Sequence, residues 1–207
     1  MTNKKEKGLL IVISGPSGTG KGTVIKLLKT KLDNLAYSVS VTTRAPRAGE
    51  VDGVDYFFRT YDEFKQMMHE NAFLETAEVY GNYYGTPKAY VEKLLNSGKD
   101  VILEIDTVGA ESVKKQFADA LLIFIAPPSI EVLRERLEKR GTETEEVKAR
   151  RLNSAEQELS KIGEYDFIVV NNDIEVASLE IKAIVTAMHC AVKNSKNTVN
   201  KFIGGKK

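Results

Sequence analysis

Gly15, Pro16, Ser17, Gly18, Thr19, Gly20, Lys21, Gly22 and Thr23 carry the plainest chemistry in this chain of 207 residues. The glycines let successive backbone N–H groups turn inward around an anion, where side chains would block the approach. Lys21 adds a full positive charge. The apolar run 9–13 before the loop reads as a buried strand, and Val24-Ile25-Lys26-Leu27-Leu28 after it as the start of a helix. A helix N-terminus supplies further unsatisfied donors and the positive end of its dipole. Strand, glycine loop and helix in that order form a cradle for a nucleoside triphosphate, with Lys21 on the terminal phosphates. A glycine-rich turn without a ligand does not explain the lysine directly after Gly20. In the common form of such loops a Ser or Thr follows the lysine and binds the metal. Here Gly22 takes that place and the hydroxyl comes at Thr23. Mg2+ is therefore expected to rest mainly on phosphates, waters and a more distant carboxylate, and no metal ligand is assigned.

A second set lies in residues 38–58, SVSVTTRAPRAGEVDGVDYFF. Arg44 and Arg47 flank Pro46, which stiffens the loop, and Tyr56 follows an acidic, glycine-containing turn. Guanidinium forks match phosphate oxygens in shape and charge, and a tyrosine hydroxyl adds a donor. By themselves these residues suit a solvated loop; beside a phosphate cradle they suit an acceptor phosphate. In ILEID, Glu104 and Asp106 stand at the carboxyl end of an apolar run, where α/β sheets bind ligands. Two apart on a strand, they share a face. Two acids there suit Mg2+ ordering or contact with the acceptor.

The elements that must position these groups are legible as runs. Residues 9–13, 101–105, Leu121–Ala126 and Phe167–Val170 look like buried parallel strands, each followed by a turn and a helical pattern, with 37–41 as a fifth candidate. The expectation is an α/β fold: a parallel sheet core, residues 8–37 and 98–188, with helices on both faces. Residues 38–97 read as a small mixed lobe with strands at 54–58 and Phe73–Val79. Its helix at 61–70 opens on a Thr60/Glu63 capping box and has Phe64, Met67 and Met68 on its apolar face. A further helix opens with Thr86 as N-cap and Pro87 in the first helical position. Residues 129–160 read as a charged helical lid with little apolar face before Leu152. Ser129 caps its first helix, Arg140-Gly141 ends it, and a capping box at 142–145 opens the next. Residues 189–207 read as a basic tail, frayed from Lys193 on.

Composition excludes more than it assigns. With 42% hydrophobic and 29% charged residues and a net charge of +1, the chain gives no case for nucleic acid or an acidic membrane surface. No apolar run approaches the ~18 residues of a membrane span, and the start MTNKKEKG lacks a signal-peptide pattern. The single cysteine, Cys190, cannot close an internal disulfide and fits a reducing cytoplasm. His69 and His189 lie far apart and read as ordinary surface or half-buried histidines.

The GKGT loop ending resembles that of nucleoside monophosphate kinases. The 38–58 stretch, then FLETAEVYGNYYGTP, ILEID, RLEKRGTETEEVKARRL and EYDFIVVNND, in this order, resemble the guanylate kinase family across residues 8–188. The resemblance implies a P-loop fold and in-line phosphoryl transfer, ATP + GMP = ADP + GDP, with ATP as donor and Mg2+ as cofactor. It places the GMP phosphate on Arg44, Arg47, Tyr56 and Tyr84, and the guanine on Ser40, Glu75 and Thr86. Glu104 and Asp106 fall beside the acceptor, Asn171 at the adenine, and Arg136, Arg140 and Arg151 on the ATP side. Lys21, Arg44, Asp106 and those three lid arginines form the implied catalytic group. Glu75 makes chemical sense here: guanine presents N1–H and its 2-amino group side by side, and an ionised carboxylate accepts from both. Where the family usually has Gln two residues after the aspartate, Val108 stands. Nothing evident reads a 2′-hydroxyl, which leaves dGMP open as a second acceptor. Two rivals remain at this level. One is a kinase for another monophosphate, disfavoured by Glu75, Ser40 and Thr86. The other is a non-catalytic guanylate-kinase-like interaction module, disfavoured by the intact Lys21 and the lack of an attached binding domain.

Overall fold

Aliphatic runs without alternation need both faces covered, and here they form the middle of a parallel sheet. The computed structural model describes residues 6–79, 81–138 and 145–203, the side chains of 138 and 145–151 excepted. In chain order its strands are β1 (Leu10–Ser14), β2 (Leu35–Tyr37), β3 (Val41–Thr42), β4 (Phe57–Phe58), β5 (Phe73–Val79), β6 (Asn82–Pro87), β7 (Asp100–Glu104), β8 (Leu121–Ala126) and β9 (Phe167–Val170). Its helices are α1 (Lys21–Lys29), α2 (Tyr61–His69), α3 (Lys88–Asn96), α4 (Thr107–Gln116), α5 (Ile130–Glu138), α6 (Glu145–Leu159), α7 (Ile174–Cys190) and α8 (Lys196–Ile203).

The main sheet is parallel throughout, in the order β2-β7-β1-β8-β9. Strand periodicity divides β1 between two cores. Ile11 and Ile13 pack with Val24, Ile25 and Leu28 of α1 and Ile181 and Val185 of α7. Leu10 and Val12 pack on the other face with Val91 and Leu95 of α3 and Ala110 and Val113 of α4. This is the α/β sheet with helices on both faces that the sequence implies. β1 is central, so the glycine loop leaves its carboxyl end between β7 and β8.

A second, mixed sheet runs β4-β3-β6-β5. Its small core joins Val41, Phe64 and Phe73, with Phe64 stacked on Phe73 at 4.6 Å between ring centroids. β5 links the two cores, because Leu74 is fully buried among the residues of α3 and α4.

Several sequence expectations are corrected. The 37–41 strand is two strands in two sheets. Ser38 N–H still bonds Ile102 O, but Ser40 O is taken by Phe57 N, so the chain crosses between sheets there. The 54–58 strand shrinks to β4, because Val54 and Asp55 turn back to Val51 O. β6 went unanticipated. The Thr60/Glu63 capping box is present, but Met68 is 43% exposed. Pro87, in extended conformation, is the N-cap of α3, and Thr86 belongs to β6. Ser129 Oγ does accept from Val132 N–H at 3.2 Å, but the segment expected as a lid is not short of apolar contact: Leu133, Leu137 and Ala155 are buried together with Leu152 against them. The expected 140–141 stop and most of the 142–145 box lie outside the described residues. β9 is an edge strand, with Phe167, Ile168 and Val170 exposed and only Val169 in the core. The tail forms α8, whose Thr198 N–H bonds Glu6 Oε1 at 3.0 Å.

Candidate functional site

The glycine loop is held by backbone fit. Gly15, at φ 138°, lies against β8, where an added Cβ would stand 2.2 Å from Ile125 O. Gly20, at φ 85°, is the N-cap of α1, and a Cβ there would meet Asn171 Nδ2 at 2.6 Å. No side chain caps α1 and its first turn carries no acid, so its donors and dipole remain available to an anion. Thr19 closes the loop, its hydroxyl donating to Pro16 O at 2.9 Å. The Lys21 ammonium donates to Gly15 O and, at 3.0 Å, to Pro16 O, which holds it across the loop. Ser17, Gly22 and Thr23 are exposed, and Gly18 packs on Leu133 and Leu137 of α5.

Asn171 follows β9 and is 3% exposed. Its side-chain amide donates to Thr19 O at 2.6 Å, and its backbone carbonyl accepts from Arg136 NH2 at 3.1 Å. Asn171 Oδ1 is buried without a hydrogen-bond partner among the described residues. Arg136 and Asn171 line a cavity of about 430 Å3 beside the loop, with Gly18, Gly20 and residues 172–175. Arg151 lies on α6 with its side chain outside the described residues, and Arg140 lies outside them altogether.

Most residues expected at the acceptor gather on or beside the second sheet. Arg44 lies 5.4 Å from the Tyr56 ring, and Tyr56 meets Tyr84 edge-on at 5.9 Å. Burial raises the Tyr56 hydroxyl pKa, Tyr84 adds to this, and the charges of Arg44 and Arg47 oppose it. Arg47 is exposed on the loop. Glu50, which sequence reasoning missed, accepts from both terminal guanidinium nitrogens of Arg44. Its signal was an acid six residues after an arginine in a turn-rich loop.

Glu75 is 8% exposed and accepts from the Thr86 hydroxyl at 2.6 Å. That hydroxyl was expected to cap a helix; it serves a buried carboxylate instead. Burial raises the Glu75 pKa, the Thr86 bond opposes this, and Asp106 pushes the same way as burial. The start of α4 passes close by, because a Cβ on Gly109 would stand 3.2 Å from Glu75 Oε2. Asp106 is the N-cap of α4, one oxygen accepting from Gly109 N–H at 2.8 Å. Ser40 is partly buried in the crossing between the sheets. Glu104 ends β7 and accepts from Tyr37 OH at 3.3 Å. Two more groups went unanticipated here. Tyr37 has its pKa raised by burial and by Glu104, and Glu158 of α6 has its pKa raised by burial, with the Lys21 charge opposing.

No group of three or more His, Cys, Asp or Glu among the described residues is placed to hold a metal. A Cβ on Gly22 would stand 3.7 Å from Glu104 Oε2, so the glycine keeps open the space between the loop and that carboxylate. An oxygen site of this kind suits a hydrated Mg2+ that rests mostly on phosphates.

A family model described as guanylate kinase matches residues 7–188. The chain belongs to the guanylate kinase family. A guanylate kinase of Caldanaerobacter subterraneus subsp. tengcongensis is 53% identical over 193 residues, covering 93% of this chain and 94% of that protein. One of Halalkalibacterium halodurans is 54% identical over 187 residues, covering 90% and 92%. The crystal structure of guanylate kinase from Anaplasma phagocytophilum superimposes with a TM-score of 0.73 at 34% identity, covering 96% of each chain. The chain is thus a kinase that phosphorylates GMP to GDP with ATP as donor. No helix among the described residues is long and apolar enough to cross a membrane.

Proposed function

We propose that the acceptor and donor sites of this reaction are the two clusters described above. The observation that carries the assignment is Glu75: a buried carboxylate bonded only by the hydroxyl and backbone of Thr86, with no ion pair among the described residues. Such a group calls for external donors. Guanine N1–H and its 2-amino group supply two, while the Ser40 hydroxyl faces O6 and the Thr86 hydroxyl would join it by turning its one proton from Glu75 to O6. Adenine lacks both donors and leaves the carboxylate unpaired. The GMP phosphate rests on Arg44, Arg47, Tyr56 and Tyr84. The β- and γ-phosphates of ATP rest on the loop amides and Lys21, with the adenine in the cavity beside Asn171. Residues 38–97 act as the GMP lobe and 129–160 as a lid that brings Arg136, Arg140 and Arg151 to the ATP side.

Transfer follows from positioning and charge. An oxygen of the GMP phosphate attacks the γ-phosphorus in line, the bond to the β–γ bridging oxygen breaks, and its electron pair leaves on ADP. No general base is needed, because the attacking oxygen is already anionic near neutral pH. Lys21, moving from the loop carbonyls to the phosphates, neutralises the developing charge with the lid arginines. Mg2+ would be held by the phosphates with Glu104 and Asp106 nearby, and would supply further charge neutralisation. No group among the described residues is assigned to a ribose 2′-hydroxyl, which leaves dGMP open as a second acceptor. The near-neutral charge and single cysteine fit a cytoplasmic enzyme without nucleic-acid or membrane partners.

A coupled assay of ADP formation, with ATP and each monophosphate in turn, tests the guanine assignment. GMP should exceed AMP, CMP and UMP by about 10² or more in kcat/KM. Equal use of AMP would overturn it. Arg44→Ala and Arg47→Ala should each weaken GMP binding by about 10-fold or more with ATP binding nearly unchanged. Separate titrations of the two nucleotides check this; equal losses for both would place the arginines elsewhere.

A further inference from the structure

Arg44 is held from several sides, and Glu50 does most of the holding. Glu50 Oε1 accepts from Arg44 NH2 at 2.8 Å. Glu50 Oε2 accepts from Arg44 NH1 at 3.0 Å and from the Arg47 backbone N–H at 2.7 Å. The two side chains are only 16% and 20% exposed. The guanidinium also lies over the Tyr56 and Phe58 rings, at 5.4 and 5.8 Å from their centroids, and NH1 donates to Ala45 O at 2.8 Å. A guanidinium has five N–H donors. These bonds use both hydrogens on NH1 and one on NH2, and the Tyr84 side chain is a further hydrogen-bond partner of the guanidinium. The fork-to-fork pairing fixes the guanidinium plane, which a single bond to a flexible side chain does not do. The Arg44 bond, followed by the Arg47 N–H, holds the Glu50 carboxyl below the usual carboxylate range, so its charge persists through the neutral range.

We propose that Glu50 is a positioning residue of the acceptor-phosphate site: it sets the plane of the Arg44 guanidinium against Tyr56 and, through the Arg47 N–H, closes the turn that carries Arg47. The inference rests on the reading of Arg44 and Arg47 as ligands of the GMP phosphate. A negative charge so close to that phosphate is unfavourable in itself. Its presence makes sense if orienting two cations gains more than the repulsion loses. If Glu50 merely competed with phosphate for Arg44, its removal would tighten GMP binding.

The test uses Glu50→Gln, Arg44→Ala and the double variant, with KM for each nucleotide measured at saturating partner and thermal midpoints recorded. Glutamine keeps the shape and an acceptor for Arg47 N–H but removes the charge. Glu50→Gln should raise KM for GMP about tenfold, leave KM for ATP and the midpoint near wild type, and lose most of its effect in the Arg44→Ala background. An unchanged or lowered KM for GMP, with Arg44→Ala raising it, overturns the role of Glu50 alone. An unchanged KM for GMP in Arg44→Ala overturns the acceptor-site reading, and this inference with it. A lowered midpoint with equal losses toward both nucleotides makes Glu50 a loop-folding residue and also overturns the proposal.

Discussion

Glu75→Gln is expected to lower kcat/KM for GMP by about 10² or more while the ATP dissociation constant stays near its wild-type value. Glutamine keeps the side-chain size but replaces one acceptor oxygen with an NH2 donor, and that donor would face a guanine donor. The cost is large because the group is 8% exposed and its hydrogen-bond partners are the Thr86 hydroxyl and backbone, so no water shell softens the mismatch. The same burial raises the Glu75 pKa above its ordinary 4.5. Guanine needs the ionised form, so GMP efficiency should fall as pH drops through that raised value. The second ionisation of the GMP phosphate, near ~6, imposes its own acid limb on both enzymes. Only the wild type should show the additional one. The stability sign runs the other way from a salt-bridged acid. The folded state binds this proton more tightly than the unfolded chain, so stability falls as pH rises from 4.5 to the raised value, and the penalty is fully present above it. At neutral pH the ligand-free Glu75→Gln variant should therefore melt above wild type. Steady-state kinetics across pH and thermal melts are the measurements. A variant that phosphorylates GMP as well as wild type would remove the main support for guanine recognition by this residue.

Lys21→Met should cost about 10²–10³ in kcat, the usual effect of removing one preorganised charge from a phosphoryl-transfer transition state. Methionine keeps most of the length and none of the charge. Fold loss is not the expected cause. The ammonium bonds the carbonyls of Gly15 and Pro16, and the loop is fixed independently by Thr19 on Pro16, Asn171 on Thr19, and Gly15 against β8. The expected result is a normal melting midpoint, near-normal GMP binding and a collapsed turnover number. Near-normal turnover would remove Lys21 from the phosphate cradle.

The parts of the fold that were legible in the sequence were those specified within a few neighbouring residues. β5 and β8 fall at the expected bounds, and α2 opens on the expected Thr60/Glu63 box. The errors cluster where a residue's partner is remote. Thr86-Pro87 has the pattern of a helix opening, yet the Thr86 hydroxyl is claimed by Glu75, eleven residues back across β5 and β6. Residues 37–41 alternate like one strand, yet their hydrogen-bonding partners change from β7 to β4 midway. Leu133 and Leu137 are too few to mark an apolar helix face, but with Ala155 they form a closed cluster against the glycine loop.

The candidate site divides the same way. The chain by itself determined the phosphate cradle, because backbone geometry at adjacent glycines and one lysine needs no distant partner. It also supplied Arg44, Arg47 and Tyr56 on one short loop. Tertiary structure alone decided that Glu75 is buried rather than a surface acid, since that depends on α4 closing over β5 at Gly109. It alone brought Glu50 onto both terminal nitrogens of Arg44 and set Asn171 against Thr19, 152 residues away. Local sequence fixes which groups can carry charge or bend the backbone. Burial and hydrogen-bond pairing decide what each charge does, and they are properties of what packs on top of it.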